Sequence, residues 1–543
     1  MLEGGDILLK EHLPLPLARR LRLGSMLVSQ WPLAIVGLAC FFFLFAQRHI
    51  GLSLMDEGFL WYGAQRILHG ELPLRDFQAY DPARYYWSAG WMYLLGDNGI
   101  VTLRLGNAIL AAMTAMLAVF SVNIGMPDRR VAFNIAAGVV FIIWLVPDFK
   151  VADSFAAILL LFSSVRLIER PTSARYFQGG ICLGIAAAIG INHALYGTIG
   201  GLLTFFYAGS VSHKRTAIGA VIAGGLLGYS PMLALFVFAP GFAAAFIDSI
   251  TLIFEAGTTN LSLPFPDVLA VFRGADKLHV QFASETLLGL SLIAAPLLLI
   301  WAAWRLGRAD FRAIVPPAIP AGLLLSLPFA HYVVSRADVA HAAVSVLPVL
   351  VLVLAWTAWR RGRLAQWLIV ASLLLTGLAM TARERPAYEW LKNARMYAVA
   401  VDGVTMLLPS FDFAQIRSVR TLATAAGPAT FFAGPYLPGA YALQDRKSPI
   451  WEIYMIFPSS PARQRAEIMK MRAANVCVAL VSNGGVDGNA ALGLQQTHRL
   501  LLAELEQRLE RSEDVVGMMG MTIRSTAAHC DRRQAPPGES SES

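Results

Sequence analysis

Long apolar runs separated by short polar breaks set the pattern of this chain. A helix needs roughly 17–25 mostly apolar residues to cross a bilayer. Eleven such spans are predicted, near 25–47, 101–124, 131–147, 152–168, 176–191, 194–209, 216–239, 284–303, 314–330, 341–358 and 364–380. Asn192 and His193 divide the stretch 176–209 into two spans. The first run lacks a small-residue cleavage site and reads as a retained anchor, not a signal peptide. Between 240 and 283, Pro240, Pro264 and Pro266 break the pattern, which predicts a loop with room for an interfacial helix.

Charge gives these spans an orientation, because cytoplasmic loops are enriched in Lys and Arg. With residues 1–24 inside, the inner segments carry 17 basic and 6 acidic residues, and the outer loops through the eleventh span carry 8 and 14. The alternation is unbroken. An odd number of spans then puts the C-terminal region outside.

From about Thr381 the long apolar runs stop. AAGPATFFAGPYLPGAYALQ reads as short strands and turns, PARQRAEIMKMRAA as a helix and NVCVALVSN as a buried strand. LQQTHRLLLAELEQRLERSE has an amphipathic helical period, and DVVGMMGMTIRS reads as another strand. The expected fold class is an all-α polytopic membrane domain of about eleven transmembrane helices with a small C-terminal α/β domain. The domains are a cytoplasmic segment 1–24, a membrane domain 25–380 with a first outer loop 48–100, an outer domain 381–530 and a disordered tail 531–543.

Composition narrows the class. Of 543 residues, 56% are hydrophobic and 15% charged, against about a quarter charged in soluble domains, so a soluble enzyme is excluded. The net charge of +8 follows from membrane topology and implies no nucleic-acid partner. Arg outnumbers Lys 37 to 7, which with abundant Ala points to a GC-rich, bacterial source, hence an inner membrane with the outer face in the periplasm. The four cysteines, Cys40, Cys182, Cys477 and Cys530, form no zinc or CxxC spacing, although a Cys477–Cys530 disulfide is open in an oxidising compartment.

The first outer loop holds the candidate chemistry. An interfacial belt explains its aromatic residues. It does not explain the adjacent Asp56 and Glu57 at the mouth of a span, where desolvating charge is costly. Asp81, Tyr85 and Tyr86 follow in DPARYYW as candidate pocket residues. No Gly-rich phosphate loop or dinucleotide fingerprint lies beside a strand.

An acidic pair after the first span, followed by DPARYYW, resembles the integral-membrane glycosyltransferases of the GT-C fold. The pattern is most similar to the protein O-mannosyltransferases and the lipid A aminoarabinose transferases. The resemblance implies a polyprenyl-phosphate sugar donor and transfer on the outer face to a glycan, lipid or protein acceptor. It implies Asp56 as the first-loop catalytic acid, with Glu57 beside it. A second acid lies before the fourth span in VPDFKVADSF, where Asp153 fits best and Asp148 is the alternative. A helix N-cap also accounts for Asp153. The Lys-Pro-Pro of the aminoarabinose branch is absent, and Arg84 is the nearby cation.

A leaving phosphate calls for outward cations. Candidates are Arg84, His193, and Arg336 and His341 in HYVVSRADVAH. A surface pair of Arg336 with Asp338, and a satisfied polar tip for His193, are the structural alternatives. No cofactor is required by the sequence. A divalent metal at His331, Asp338 and His341 is not favoured. Two other functions remain: a transporter or flippase of a lipid-linked glycan, and an O-antigen ligase or polymerase using a pyrophosphate-linked glycan.

Overall fold

A computed structural model describes residues 31–125, 131–208, 214–256, 263–273, 280–308, 314–360, 362–392, 395–482, 486, 489–514 and 521–525. The expected segment 1–24, the tail 531–543 and Cys530 lie outside the described residues.

Among the described residues, each of the eleven apolar stretches contains a helix or a bent helix pair. Among the described residues, Ile100–Asn123, Asp148–Glu169, Phe282–Leu306 and Arg363–Glu384 are long and apolar enough to cross a membrane. Counting the bent pairs Arg215–Gly228 with Ser230–Phe238 and Val339–Ser345 with Leu347–Trp359 raises the number to six. Trp31–Phe45, Val131–Trp144 and Ala318–Val334 are apolar but shorter. The protein is therefore a membrane protein. Phe242–Ala256 forms a helix inside the long loop before the eighth predicted span.

Small residues let the helices pack closely, as expected where lipid supplies no hydrophobic drive between them. Ser173–Ile189 and Lys214–Gly228 touch backbone to backbone. A Cβ on Gly180 would lie 2.2 Å from the Val221 carbonyl, and one on Gly224 would lie 2.1 Å from that of Phe177.

The first outer loop folds into two helices, Asp56–Leu68 and Ala83–Leu95. Beyond Thr381 comes a hairpin of β1 (Met396–Val401) and β2 (Val404–Pro409), then helix Ser410–Ala426. The hairpin turn is Asp402-Gly403, with φ of 47° and 77°, as a two-residue type I′ turn requires. A four-stranded sheet follows, built from β3 (Phe432–Gly434), β4 (Val478–Ser482), β5 (Glu510–Asp514) and β6 (Met521–Ser525) in the order β3-β4-β6-β5. Only β3 and β4 run parallel. Helices Pro461–Ala473 and Arg499–Arg508 accompany this sheet. The amphipathic pattern over 494–513 overran its helix, because ERSED belongs to β5. Cys477 is disulfide-bonded, and Cys40 and Cys182 are free.

The first loop and the C-terminal region share one core. Leu52, Phe59, Trp61, Tyr62, Phe77 and Tyr85 pack with Met406, Leu408, Val419, Phe431, Tyr441, Ile453 and Leu480. Backbone bonds tie the two together: Gly439 N–H donates to Leu54 O (2.8 Å) and Gln78 N–H to Trp451 O (2.9 Å). Gly58 and Gly439 meet so closely that a Cβ on Gly58 would sit 2.5 Å from the Gly439 Cα. This packing fixes the roof of the cavity described next.

Candidate functional site

A cavity of ≈ 120 Å³ opens where the first loop, the ends of several apolar helices and the C-terminal region meet. Its lining is Asp56, Phe59, Leu60, Tyr80, Asp81, Arg84, Tyr85, Phe149, Lys150, Asp153, Asn192, Tyr332, His341 and Tyr436.

Asp56 and Glu57 open the first loop helix, where the positive end of the helix dipole favours carboxylates. Adjacent helical residues point about 100° apart at 3.6 residues per turn. The acid pair is therefore split. Asp56 is exposed and faces the cavity, where it accepts a hydrogen bond from Tyr436 Oη at 2.8 Å. Burial holds the Tyr436 phenol far above its usual range, with the Asp56 carboxylate adding to the effect, so the phenol remains a donor. Glu57 turns the other way into a two-toothed fork with Arg104, at 2.6 and 2.7 Å. Arg104 also donates to the carbonyls of Arg48, Ile50 and Gly51. Glu57, expected near the reacting atoms, points away from the cavity and ties the loop to helix Ile100–Asn123.

Asp153 lies in the first turn of helix Val151–Glu169 and is no N-cap. Its carboxylate accepts from Arg84 Nη2 at 3.0 Å and Nη1 at 3.4 Å, and lies 2.8 Å from His193 Nε2. His193 is fully buried behind it, with Nδ1 making no hydrogen bond. Arg84 also donates to Ile189 O (2.9 Å) and covers the Tyr80 ring at 5.1 Å. Asp81 accepts from Ile191 N–H at 2.9 Å and so holds the start of helix Ile191–Ala208 beside the cavity. Tyr85 is buried, and its hydroxyl accepts from Tyr80 N–H at 3.0 Å, closing the turn that carries Asp81.

On the remaining side, Lys150 Nζ donates to Tyr332 Oη at 3.2 Å and lies 3.3 Å from His341 Nε2. His341 Nδ1 lies 2.7 Å from Asp338 Oδ1. Burial opposes ionisation of Asp338, but the hydrogen bonds from His341 and Arg336 hold its carboxyl well below the usual range.

A solved structure shares this architecture. The apo crystal structure of ArnT from Cupriavidus metallidurans superposes with a TM-score of 0.53 over 93% of this chain and 99% of that chain, at 12% identity. The chain has the GT-C fold. A peptide-tethered oligosaccharyltransferase from Archaeoglobus fulgidus gives 0.43 over 83% of this chain and 68% of that one, also at 12% identity. No protein-family model matches the sequence, and no curated protein matches it.

In this GT-C chain the cavity gathers Asp56, Asp81, Arg84, Tyr85, Asp153 and His341 from the expected site residues. Glu57, Tyr86, Asp148, His193 and Arg336 do not line it. Tyr86 is 37% exposed, one residue past Tyr85 on the helix and so on another face. Asp148 heads a 3-10 turn ahead of the helix, and Asp153 is the acid of that loop that reaches the cavity. Arg336 Nε lies 2.5 Å from Asp338, so the expected structural pair forms. His331 turns to Tyr196 Oη at 2.9 Å, not to Asp338 or His341. Among the described residues no group of three His, Cys, Asp or Glu side chains is placed to share a metal.

Sequence reading missed Lys150 and Tyr332. Lys150 had a signal: it is the one basic residue in VPDFKVADSF, an outward loop otherwise acidic.

Proposed function

We propose that this protein is a membrane glycosyltransferase. It moves a sugar from a polyprenyl-phosphate donor to a glycan, lipid or protein acceptor on the periplasmic face of a bacterial inner membrane. The observation that carries the reading is one cavity that holds an exposed carboxylate, Asp56, together with cationic side chains, roofed by the C-terminal region. The GT-C likeness in fold supports it. So does the origin of the lining: every lining segment belongs to a loop or helix end that the charge alternation assigns to the outer side.

The chemistry is a single displacement. The acceptor hydroxyl attacks the anomeric carbon while the bond from that carbon to the phosphate oxygen breaks. The electron pair stays on the phosphate, and the acceptor proton passes to Asp56 as general base. Tyr436 orients that carboxylate. Asp153 holds Arg84 at the wall, and Asp81, Tyr80 and Tyr85 shape the space the sugar occupies.

Mass spectrometry of envelope glycans, glycolipids and glycoproteins from cells with and without the protein tests this reading. A sugar missing from one acceptor in the deletion strain, and restored by the wild-type chain, is the expected result. Unchanged covalent structures alongside altered lipid-linked glycan distribution across the membrane would favour a flippase instead. Release of a lipid pyrophosphate would identify a ligase.

A further inference from the structure

We propose that Lys150 is the catalytic cation that receives the leaving phosphate, and that His341 and Asp338 are positioning residues that aim it. This rests on the polyprenyl-phosphate donor proposed above.

The charge pairing around the cavity separates the two strong cations. Arg84 is already matched by Asp153, at 3.0 Å, and spends a further N–H on Ile189 O. Lys150 has no carboxylate within ion-pair distance among the described residues. Its ammonium meets two neutral acceptors, Tyr332 Oη and His341 Nε2. An ammonium has three N–H donors, so one remains for a ligand.

His341 accepts from Lys150 only if Nε2 carries a lone pair. Asp338 fixes that tautomer: Oδ1 accepts a hydrogen bond from Nδ1–H at 2.7 Å and one from the His341 backbone N–H at 2.8 Å. Arg336 neutralises the second Asp338 oxygen at 2.5 Å. A doubly protonated His341 would present an N–H to the lysine and repel it.

The reaction makes this cation count. The donor phosphate is a diester with one negative charge. When the sugar carbon–oxygen bond breaks, the electron pair leaves a monoester that carries two. A cation not already neutralised by a carboxylate gains most from the added charge, and it gains it in the transition state.

The test measures binding of undecaprenyl phosphate and of undecaprenol to the purified full chain in lipid nanodiscs. A charge-assisted contact is worth a preference of about 10- to 100-fold for the phosphate. In Lys150→Met that preference is expected to collapse while the alcohol binds as in the wild type, which also reports folding. Lys150→Arg should retain most of it. His341→Gln, which keeps an acceptor near Nε2, should retain the preference that His341→Leu loses. If Lys150→Met does not fold, Lys150→Gln is read in the same way. Full preference in the uncharged variant overturns the role of Lys150 alone. Equal wild-type affinity for both lipids overturns the donor class and this role with it.

Discussion

Tyr436 Oη donates to Asp56 Oδ1 across 2.8 Å, joining residues 380 positions apart. The C-terminal region thereby sets the orientation of the first-loop acid. Removing the phenolic hydroxyl takes a donor from the ionised carboxylate, which raises its proton affinity. Tyr436→Phe is expected to fold, to lose about tenfold in transfer rate and to move the acid limb of the pH–rate profile upward. An unchanged limb and rate would make the contact idle.

The fork between Glu57 and Arg104 predicts a different phenotype for the neighbouring acid. Both side chains are nearly inaccessible, at 8% and 5% exposure. Breaking such a pair leaves a buried charge and costs about 3–5 kcal/mol. Glu57→Gln should lower the thermal unfolding midpoint markedly. A variant as stable as the wild type but inactive would return Glu57 to the reacting centre.

Much of this was legible from sequence, and the limits have physical causes. Helix positions follow from length and hydropathy, which are local, and among the described residues each of the eleven apolar stretches contains a helix. The cost of acids at a membrane surface marked out the first loop, and its Asp56 and Asp81 line the cavity. The split between Asp56 and Glu57 was not legible, because it depends on which helix face meets Arg104, 47 residues away. The Arg84–Asp153 pair, 69 residues apart, is likewise tertiary. The β1–β2 hairpin leaves a readable trace in Asp402-Gly403 between alternating strands. The place of Lys150 beside Tyr332 and His341, 182 and 191 positions away, is likewise tertiary.

Close backbone approach at Gly58 and Gly439 predicts sensitivity to a single methyl group. A Cβ on Gly439 would lie 2.7 Å from the Leu54 Cα, in backbone that cannot simply rotate away. Gly439→Ala should cost about 1–3 kcal/mol and loosen the roof. Limited proteolysis should then cut between the membrane helices and the C-terminal region faster than in the wild type. An unchanged cleavage rate would show that the two parts have slack.

Asp412 gives a pH prediction. Its carboxylate accepts from Leu52 N–H at 2.9 Å. Burial pushes its carboxyl up from 3.8 to about 6, with the Leu52 amide and Arg104 opposing and Glu57 adding to the rise. The folded state thus keeps a proton that the unfolded chain gives up first, and this group's contribution to stability falls as pH rises from about 4 through about 6. Asp412→Asn cannot ionise. It should gain on the wild type across that window, by up to about 3 kcal/mol. Thermal unfolding at a series of pH values reads the difference, and a constant offset from pH 4 to 7 would contradict it.

The central claim is that Asp56 performs chemistry on a lipid-linked sugar. Purified wild type and Asp56→Asn, reconstituted with membrane lipids carrying the cell's polyprenyl-phosphate sugars and with envelope acceptors, are compared by mass spectrometry for acceptor glycosylation and released polyprenyl phosphate. The account predicts that the variant inserts, folds and unfolds like the wild type yet forms neither product. Full transfer by Asp56→Asn would contradict it.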